Sequence, residues 1–174
     1  MDLTKDNIVK IANSLCLNDL KNLMPYDKIY NYKNNDIYEA ELFDMKNIKK
    51  KDIYSCFCLV KENLEEMYKK SSFGWSSKRK LKEMKAKNTK YIIIRKEKKQ
   101  DIIGFLSCQF VTEAGEHVIY CYEIQVLQAY RGFGIGYNLM KIMENLGLKL
   151  GFRKAMLTVF NCNKIALSFY EKMG

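Results

Sequence analysis

The sequence predicts one mixed α/β domain, in which a mostly antiparallel sheet is flanked by helices. Its 174 residues suffice for a single domain with a sizeable core. Three consecutive strand-like runs, at residues 90–96, 102–112 and 117–128, predict an antiparallel meander. Apolar residues at helical spacing before and after these runs predict helices on both sides of the meander.

The elements at the start of the chain follow from apolar spacing and from its breaks. Residues 4–24 carry apolar side chains at helical spacing, so we expect a helical N-terminal segment, residues 1–35, packed on a main domain of residues 36–174. Alternation at residues 37–43 predicts a strand. Residues 60–70 are predicted to be helical, and the glycine-containing stretch SSFGW ends that helix.

The other elements surround the meander. A basic helix is predicted at residues 76–88, before its first strand, and Ala114-Gly115 predicts a hairpin turn between its last two strands. After the meander, residues 134–149 have the apolar and polar faces of an amphipathic helix. Residues 154–160 predict a strand and residues 163–173 a second helix, which completes the α/β order.

Composition limits the function classes. No run approaches the roughly 18 apolar residues of a membrane span. The start, MDLTKDNIVK, lacks the apolar core of a signal peptide, so we expect an intracellular protein, cytoplasmic and nuclear. The net charge of +10 suits a nucleic acid, a ribosomal surface or an anionic cofactor, or simply a lysine-rich solvated surface. The six cysteines form no C-x-x-C pair and His117 is the sole histidine, which predicts buried reduced thiols and no metal site.

A glycine-rich stretch, RGFGIG at residues 131–136, lies between the last meander strand and the helix predicted after it. The first turn of a helix has free backbone N–H groups and the positive end of the helix dipole. Glycines remove the side chains that would hold a phosphate away from those donors, and Arg131 adds charge. The stretch therefore predicts a phosphate-binding loop, with a tight turn that binds nothing as the alternative.

Other kinds of phosphate loop fit this stretch poorly. A Walker A loop ends in Gly-Lys-Ser/Thr, whereas Tyr137 follows Gly136 here. A dinucleotide-binding loop has G-x-G-x-x-G spacing in a parallel unit, and a kinase loop needs lysine and aspartate partners that this sequence lacks. The remaining pattern is R-x-x-G-x-G, formed by Arg131, Gly134 and Gly136.

This pattern resembles the Arg/Gln-x-x-Gly-x-Gly/Ala loop of the GNAT superfamily of N-acetyltransferases, which binds the pyrophosphate of acetyl-CoA. The stretch NKIALSFYEKMG, residues 163–174, resembles the later Asn-x-x-Ala-x-x-x-Tyr-x-Lys-x-Gly segment of that superfamily. The resemblance implies a GNAT fold and acetyl-CoA as the donor. It also implies two further strands after Gly174, so we expect the C-terminal strands of the fold to be missing from this chain.

Within the superfamily, the chain most resembles the N-terminal acetyltransferase D family, over residues 55–174. The shared stretches are YCYEIQV, MLTVF, and MYKKSSFGW followed by KRKLKEM. That family acetylates the α-amino group of core histones that begin Ser-Gly-Arg-Gly, so the resemblance implies an N-alpha-acetyltransferase for histone-like N-termini. It also implies a monomer without membrane contacts or specific nucleic-acid binding, and it allows association with the ribosome.

The resemblance implies where acetyl-CoA binds. Backbone N–H groups of Gln125, Val126 and Leu127 would bond the pantetheine arm, and one of them would polarise the thioester carbonyl. Asn163 would contact the same arm, while Tyr170 would face its sulfur and protonate the leaving thiolate. The implied residues of the pyrophosphate loop are Arg131, Gly132, Phe133, Gly134, Ile135 and Gly136.

Acetyl transfer to an amine requires the amine to be neutral, and an α-amino group has an ordinary pKa of about 7.7–8.0. By resemblance, Glu123 would take the amine proton through water, with Tyr122 beside it as a further catalytic residue. On an ideal strand Tyr122 and Glu123 point to opposite faces, so a surface carboxylate is the alternative for Glu123.

The implied peptide site is mainly aromatic, which suits an extended N-terminus with small first residues, and a carboxylate suits a substrate arginine. The chain has Phe73 where related sequences have tryptophan, and Val111 where they have an acidic residue, which weakens the expectation of an arginine. Ordinary core packing is the alternative for each aromatic residue. The predicted substrate residues are Tyr68, Phe73, Trp75, Glu113, Tyr120 and Tyr122.

Two other functions fit parts of the sequence. Another GNAT enzyme would acetylate lysine side chains or small amines, although the Tyr-Cys-Tyr-Glu strand argues against it. A basic module with a degenerate GNAT fold would bind nucleic acid or the ribosome through the +10 charge. The intact glycine loop, together with Asn163 and Tyr170, argues against that second alternative.

Overall fold

The computed structural model describes residues 8–31 and 33–174; the predicted helical residues 4–7 lie outside the described residues. The helices are α1 (Ile8–Ser14), α2 (Leu17–Asn22), α3 (Lys50–Lys69), α4 (Ser77–Met84), α5 (Ile135–Lys149) and α6 (Lys164–Met173). The strands are β1 (Lys28–Asn31), β2 (Asp36–Asp44), β3 (Lys90–Lys96), β4 (Ile102–Glu113), β5 (Glu116–Val126) and β6 (Ala155–Leu157). A short 3-10 turn, Gln128–Tyr130, follows β5.

The strands form one sheet in the order β1-β2-β3-β4-β5-β6. Strands β1 to β5 are antiparallel neighbours, and β6 runs parallel to β5. This confirms the mixed, mostly antiparallel sheet and the meander. Strand β6 pairs with β5 only at Ile119–Cys121, so within the described ranges residues 122–126 have no strand neighbour on that side. The gap that opens there holds the candidate site.

Helices cover both faces of the sheet, and the alternation within β3 shows how. Ile92 and Ile94 belong to one apolar core, which includes residues of α1, α2 and α5. Tyr91 and Ile93 belong to a second core, which includes residues of α3 and α4. Because successive strand residues point to opposite faces, a strand that is apolar throughout implies burial on both sides.

The N-terminal segment differs from its prediction in two ways. The expected helix is interrupted at Cys16, which caps α2: its Sγ accepts from the N–H of Asp19, and its own N–H donates to the Asp19 carboxylate. The segment also contains β1, at the edge of the sheet, which the sequence did not predict. Only two of its four residues, Ile29 and Asn31, are buried, so its apolar signal is too weak to detect.

Three later elements also differ in length, and one of them is α4, which ends at Met84, four residues before the end of the predicted range. Helix α3 begins at Lys50, ten residues before the predicted range, because Ile53, Cys56 and Phe57 bury one of its faces. Strand β6 covers only Ala155–Leu157 of the predicted 154–160, because pairing with β5 stops there.

The cysteines are only partly as predicted. Cys56, Cys108 and Cys121 are buried, and burial raises the pKa of the Cys108 thiol to about 12. Cys16, Cys58 and Cys162 are exposed instead.

Across residues 8–31 and 33–174, no helix has both the length and the apolar character needed to cross a membrane.

Candidate active site

The glycine loop, residues 131–136, leads directly into α5. Gly132 and Gly134 both have φ of +80°, a left-handed conformation that glycine adopts without a Cβ clash. Gly134 caps the helix, and the first intrahelical bond runs from the N–H of Asn138 to the C=O of Gly134 over 3.0 Å. In the described part of the chain, the N–H groups of residues 132–137 therefore have no protein acceptor. Such a row of free donors suits an anion.

A cavity of about 470 Å³, the donor cavity, lies beside the loop and is lined by residues of α3, β5, α5 and α6. The predicted cofactor residues that line it are Gln125, Val126, Arg131, Gly132, Gly134, Ile135, Gly136, Asn163 and Tyr170. Phe133 and Leu127 are not part of its wall. The N–H of Leu127 donates to the C=O of Ile103 over 2.9 Å, which corrects the expectation that it binds the pantetheine arm, since the backbone already uses it.

The exposed Arg131 side chain is hydrogen-bonded to two other elements. Its Nη2 donates to Oδ1 of Asn63 on α3 over 2.7 Å, and its Nε donates to the C=O of Val126 over 3.4 Å. On the other side of the loop, Nζ of Lys33 donates to the C=O of Gly132 over 3.2 Å. Two cationic side chains thus flank the free N–H groups of the loop.

A second cavity of about 740 Å³, the acceptor cavity, opens on the other side of Tyr170. Its wall contains four of the predicted aromatic residues, Tyr68, Phe73, Tyr120 and Tyr122. It also contains Phe160, which was not predicted. The aromatic rings pack closely, since the Tyr120 and Tyr122 centroids are 4.8 Å apart, as are those of Tyr68 and Phe160. These aromatic residues therefore line a cavity rather than fill a core.

Two predicted substrate residues lie outside the acceptor cavity. Trp75 stacks on Phe57, with centroids 6.2 Å apart, and packs behind Tyr68, so it supports the wall instead of forming it. Glu113 is exposed at the end of β4, opposite Glu116 across the hairpin. Their positions in the sequence do not show whether their side chains point into the cavity or away from it.

The positions of Tyr122 and Glu123 depend on a β-bulge. Ser107 pairs with Glu123, yet the next residue, Cys108, pairs with Cys121, so Tyr122 is an extra residue in β5. A bulge bends the strand and re-aims side chains. As a result, both Tyr122 and Glu123 line the acceptor cavity, although neighbours on an ideal strand point to opposite faces.

Glu123 is 5% exposed, so the alternative of a surface carboxylate is wrong. Its Oε1 accepts from Nζ of Lys80 over 3.0 Å, and its Oε2 accepts from Nε2 of Gln125 over 3.1 Å. Burial raises the pKa of Glu123, and the positive charge of Lys80 opposes that rise. The carboxylate is thus held by two donors and remains beside the acceptor cavity.

Tyr170 lies where the two cavities meet, since it lines both of them. Burial raises the pKa of its hydroxyl, and the nearby Cys121 and Glu123 add to the rise, so the hydroxyl keeps its proton at neutral pH. Asn163 lines both cavities as well and caps α6, with Oδ1 accepting from the N–H of Ala166 over 3.1 Å. The geometry therefore allows a group bound in one cavity to reach a group bound in the other.

Sequence reasoning missed several polar residues of the site, including Asn63, Lys33, Lys80 and Glu83. Lys80 carried one usable signal: it lies four residues before Met84, on the same helical face, and both are buried. Asn63 and Lys33 carried no signal, because each meets the glycine loop only through the folding of a distant element.

Comparison with known proteins identifies a family for most of the chain. The model of the acetyltransferase (GNAT) family matches residues 51–174. The uncharacterized N-acetyltransferase YycN of Bacillus subtilis (strain 168) is 28% identical over 75 residues, which cover 43% of this chain and 48% of that protein. The chain therefore spans about half the length of this curated relative.

Solved structures share the fold at low identity. The aminoglycoside N-acetyltransferase AAC(6')-Iy, solved in complex with CoA, has a TM-score of 0.59 at 16% identity, over 80% of this chain and 88% of that chain. The ribosomal-protein-alanine N-acetyltransferase of Brucella melitensis biovar Abortus 2308 has a TM-score of 0.58 at 14% identity, over 79% and 90%. At such identities the likeness concerns the fold alone, which agrees with the predicted architecture.

Proposed function

This chain belongs to the acetyltransferase (GNAT) family, and we propose that it transfers the acetyl group of acetyl-CoA to the α-amine of a protein N-terminus. One observation carries the proposal: the donor cavity beside the glycine loop and the aromatic acceptor cavity meet at Tyr170. A donor and an acceptor bound in these two cavities would approach each other there.

The donor cavity suits acetyl-CoA. The free N–H groups of residues 132–137 would bind the pyrophosphate, with Arg131 and Lys33 adding positive charge at the two sides of the loop. Gln125 and Val126 line the same cavity on β5, next to the gap between β5 and β6, where an extended pantetheine arm has room. The thioester would then lie near Tyr170.

Glu123 and Tyr170 supply the proton transfers. In the acyl-transfer step, the neutral amine nitrogen forms a bond to the thioester carbonyl carbon, and the carbon–sulfur bond breaks. Glu123 takes the proton that the nitrogen loses, through water, and Tyr170 gives a proton to the departing thiolate. Lys80, 3.0 Å from Glu123, favours the ionised form of the carboxylate, and the raised pKa of Tyr170 favours a protonated hydroxyl, so each group is favoured in the state that its role requires.

The acceptor cavity supports a peptide N-terminus over a polycationic small amine. Its aromatic wall suits an extended chain with small first residues, such as the histone-like N-terminus Ser-Gly-Arg-Gly. Arg79 and Lys80 also line the cavity and balance the carboxylates of Glu83 and Glu123. These residues give the cavity no excess of negative charge, so its aromatic wall, and not its charge, supports the choice of a peptide.

A substrate comparison tests the proposal. The protein is incubated with acetyl-CoA and a Ser-Gly-Arg-Gly peptide extended by a lysine, with its N-terminus either free or blocked, and with the aminoglycoside sisomicin. Mass spectrometry of the products is expected to show one acetyl group on the free peptide, at the α-amine, and none on the other two substrates. Equal acetylation of the blocked peptide, or turnover of sisomicin in place of the free peptide, would contradict α-amine specificity.

A further inference from the structure

A buried lysine lies against the carboxylate of the acceptor cavity. The Lys80 side chain is 6% exposed, and Nζ donates to the Tyr68 hydroxyl over 2.8 Å, to Glu83 over 2.9 Å and to Glu123 over 3.0 Å. An ammonium group has three N–H donors, so all of them are used. Nζ also lies 4.8 Å from the centroid of the Tyr68 ring. The cation is therefore held in one place by partners on three different elements.

We propose that Lys80 is a positioning residue for acetyl transfer: its ammonium group keeps Glu123 ionised and oriented inside the cavity, and its charge favours the neutral form of the acceptor amine. The proposal rests on the proposed function of this site. It adds a role for a residue that lines the acceptor cavity but neither takes a proton nor forms a bond in the transfer.

The first step of the argument concerns the cost of burial. An isolated ionised carboxylate loses several kcal/mol on leaving water, and a buried one normally takes up a proton instead. Glu123 is buried, and its two oxygens accept from Lys80 and Gln125. Both partners favour the ionised form, and Lys80, which alone of the two carries charge, favours it more strongly.

The second step concerns the other groups around Glu123. Several neighbouring elements contribute titratable groups: Tyr68 from α3, Glu83 from α4, Tyr91 from β3, Cys121 from β5 and Tyr170 from α6. The tyrosines and the cysteine are neutral, and Glu83 is anionic and raises the pKa of Glu123 further. Arg79 also lines the cavity, but its Nη2 donates to the C=O groups of Phe73 and Gly74, so Lys80 is the cation that contacts the Glu123 carboxylate and opposes these groups.

The third step concerns the acceptor. An α-ammonium group that enters the cavity meets Lys80 close to Glu123, and two like charges in a partly desolvated site repel each other. The repulsion is absent for the neutral amine, which is the nucleophile. The same lysine thus favours the reactive form of the base and the reactive form of the acceptor.

The test combines a titration with kinetics. In a Lys80→Met variant, the carboxyl carbon of Glu123 is titrated by ¹³C nuclear magnetic resonance without any substrate, and its pKa is expected to rise above the wild-type value. The acidic limb of kcat/KM for the free peptide is expected to move to higher pH by the same amount, with a loss of about ten- to hundredfold at pH 6. The Kd for acetyl-CoA is expected to stay the same, because Lys80 does not line the donor cavity.

Matched variants separate charge from packing. Lys80→Arg keeps the cation and is expected to keep the titration and the pH profile, while Lys82→Met removes an exposed lysine from the same helix and is expected to change neither. If Lys80→Met does not fold, as judged by its thermal melt, Lys80→Gln takes its place in both measurements. An unmoved pKa of Glu123 in the folded variant overturns the proposal. A wild-type protein that acetylates no peptide overturns the proposed function instead, because the titration requires no turnover.

Discussion

The side-chain amides of Asn63 and Gln125 are joined by a hydrogen bond of 2.9 Å, from Nδ2 of Asn63 to Oε1 of Gln125, and this bond connects the two cavities. Asn63 also accepts from Arg131 of the glycine loop, and Gln125 also donates to Glu123. A continuous polar chain thus runs from the donor cavity to the acceptor cavity. The chain runs from the exposed bond of Arg131 through the half-buried bond of Asn63 to the buried bond between Gln125 and Glu123, where a broken bond would leave a buried polar group without a partner.

Asn63→Leu is expected to weaken both cavities at once. The change removes the acceptor of the Arg131 guanidinium and the donor to Gln125, and a bond to a charged group contributes about 1.5–3 kcal/mol. The Kd for acetyl-CoA, measured by calorimetry, is expected to rise about tenfold or more. The control is Asn145→Leu, in which the lost bond reaches only the C=O of Lys141 one turn earlier on α5. Equal effects of the two variants would contradict a role for the polar chain.

Gly134→Ala is expected to impair acetyl-CoA binding through backbone strain rather than bulk. A Cβ at Gly134 would meet only Nδ2 of Asn138, at an ordinary 3.7 Å, but φ of +80° costs a non-glycine residue about 1–2 kcal/mol. Gly115→Ala is a matched control, since Gly115 has φ of +79° in the distant hairpin turn. Both variants are expected to lose similar thermal stability, whereas only Gly134→Ala is expected to raise the Kd for acetyl-CoA. Unchanged binding by Gly134→Ala would refute the loop assignment.

Glu123→Gln is expected to lower turnover of the peptide about a hundredfold with little change in acetyl-CoA affinity, because the amide cannot take up the amine proton. Since burial raises the pKa of Glu123, the wild-type acidic limb of kcat/KM is expected above the ordinary carboxylate range, and activity falls as the pH drops through that pKa. The variant is expected to lack this limb. The control, Glu116→Gln on the same strand, removes an exposed carboxylate paired with Lys154. Wild-type turnover by Glu123→Gln would remove Glu123 from the mechanism.

Tyr170→Phe is expected to reduce kcat by about tenfold or more while the Kd for acetyl-CoA stays near its wild-type value. The ring that lines both cavities remains, and only the hydroxyl that protonates the thiolate is lost. Stopped-flow measurement of CoA release in a single turnover isolates this step. Tyr54→Phe, which changes an exposed tyrosine on α3, serves as the control. A variant that releases CoA at the wild-type rate would show that the thiolate is protonated by another group.

Much of the fold could be predicted because its signals are local. The ranges of β3, β4 and α5 agree with prediction to within a residue or so, since alternation and helical spacing reflect faces that are buried in the structure. Strand β1 and the break at Cys16 carry no such periodicity. A short edge strand is specified mainly by its partner, and a cap by one side-chain bond, so neither has a clear pattern.

The site was predictable in part for the same reason. The glycine loop and Tyr170 belong to motifs in which the residues lie close together along the chain, and the structure places both against the donor cavity. Trp75 and Glu113 were expected in the acceptor wall but lie behind it and beyond it. Their positions depend on how the segment after α3 and the end of β4 meet their neighbours.

The sequence by itself determined the α/β order, the glycine loop with its free helix end, and the family to which the chain belongs. Only the tertiary structure decided that Tyr122 and Glu123 share a cavity, because the register shift opposite Ser107 and Cys108 is a property of two paired strands. It also decided that Lys80, in a stretch that looks like a solvated basic helix, is buried against Glu123. The physical reason is separation along the sequence. Backbone preferences act between neighbours in the chain, whereas the bulge and the ion pair between Lys80 and Glu123, 43 residues apart, exist only after packing brings their partners together.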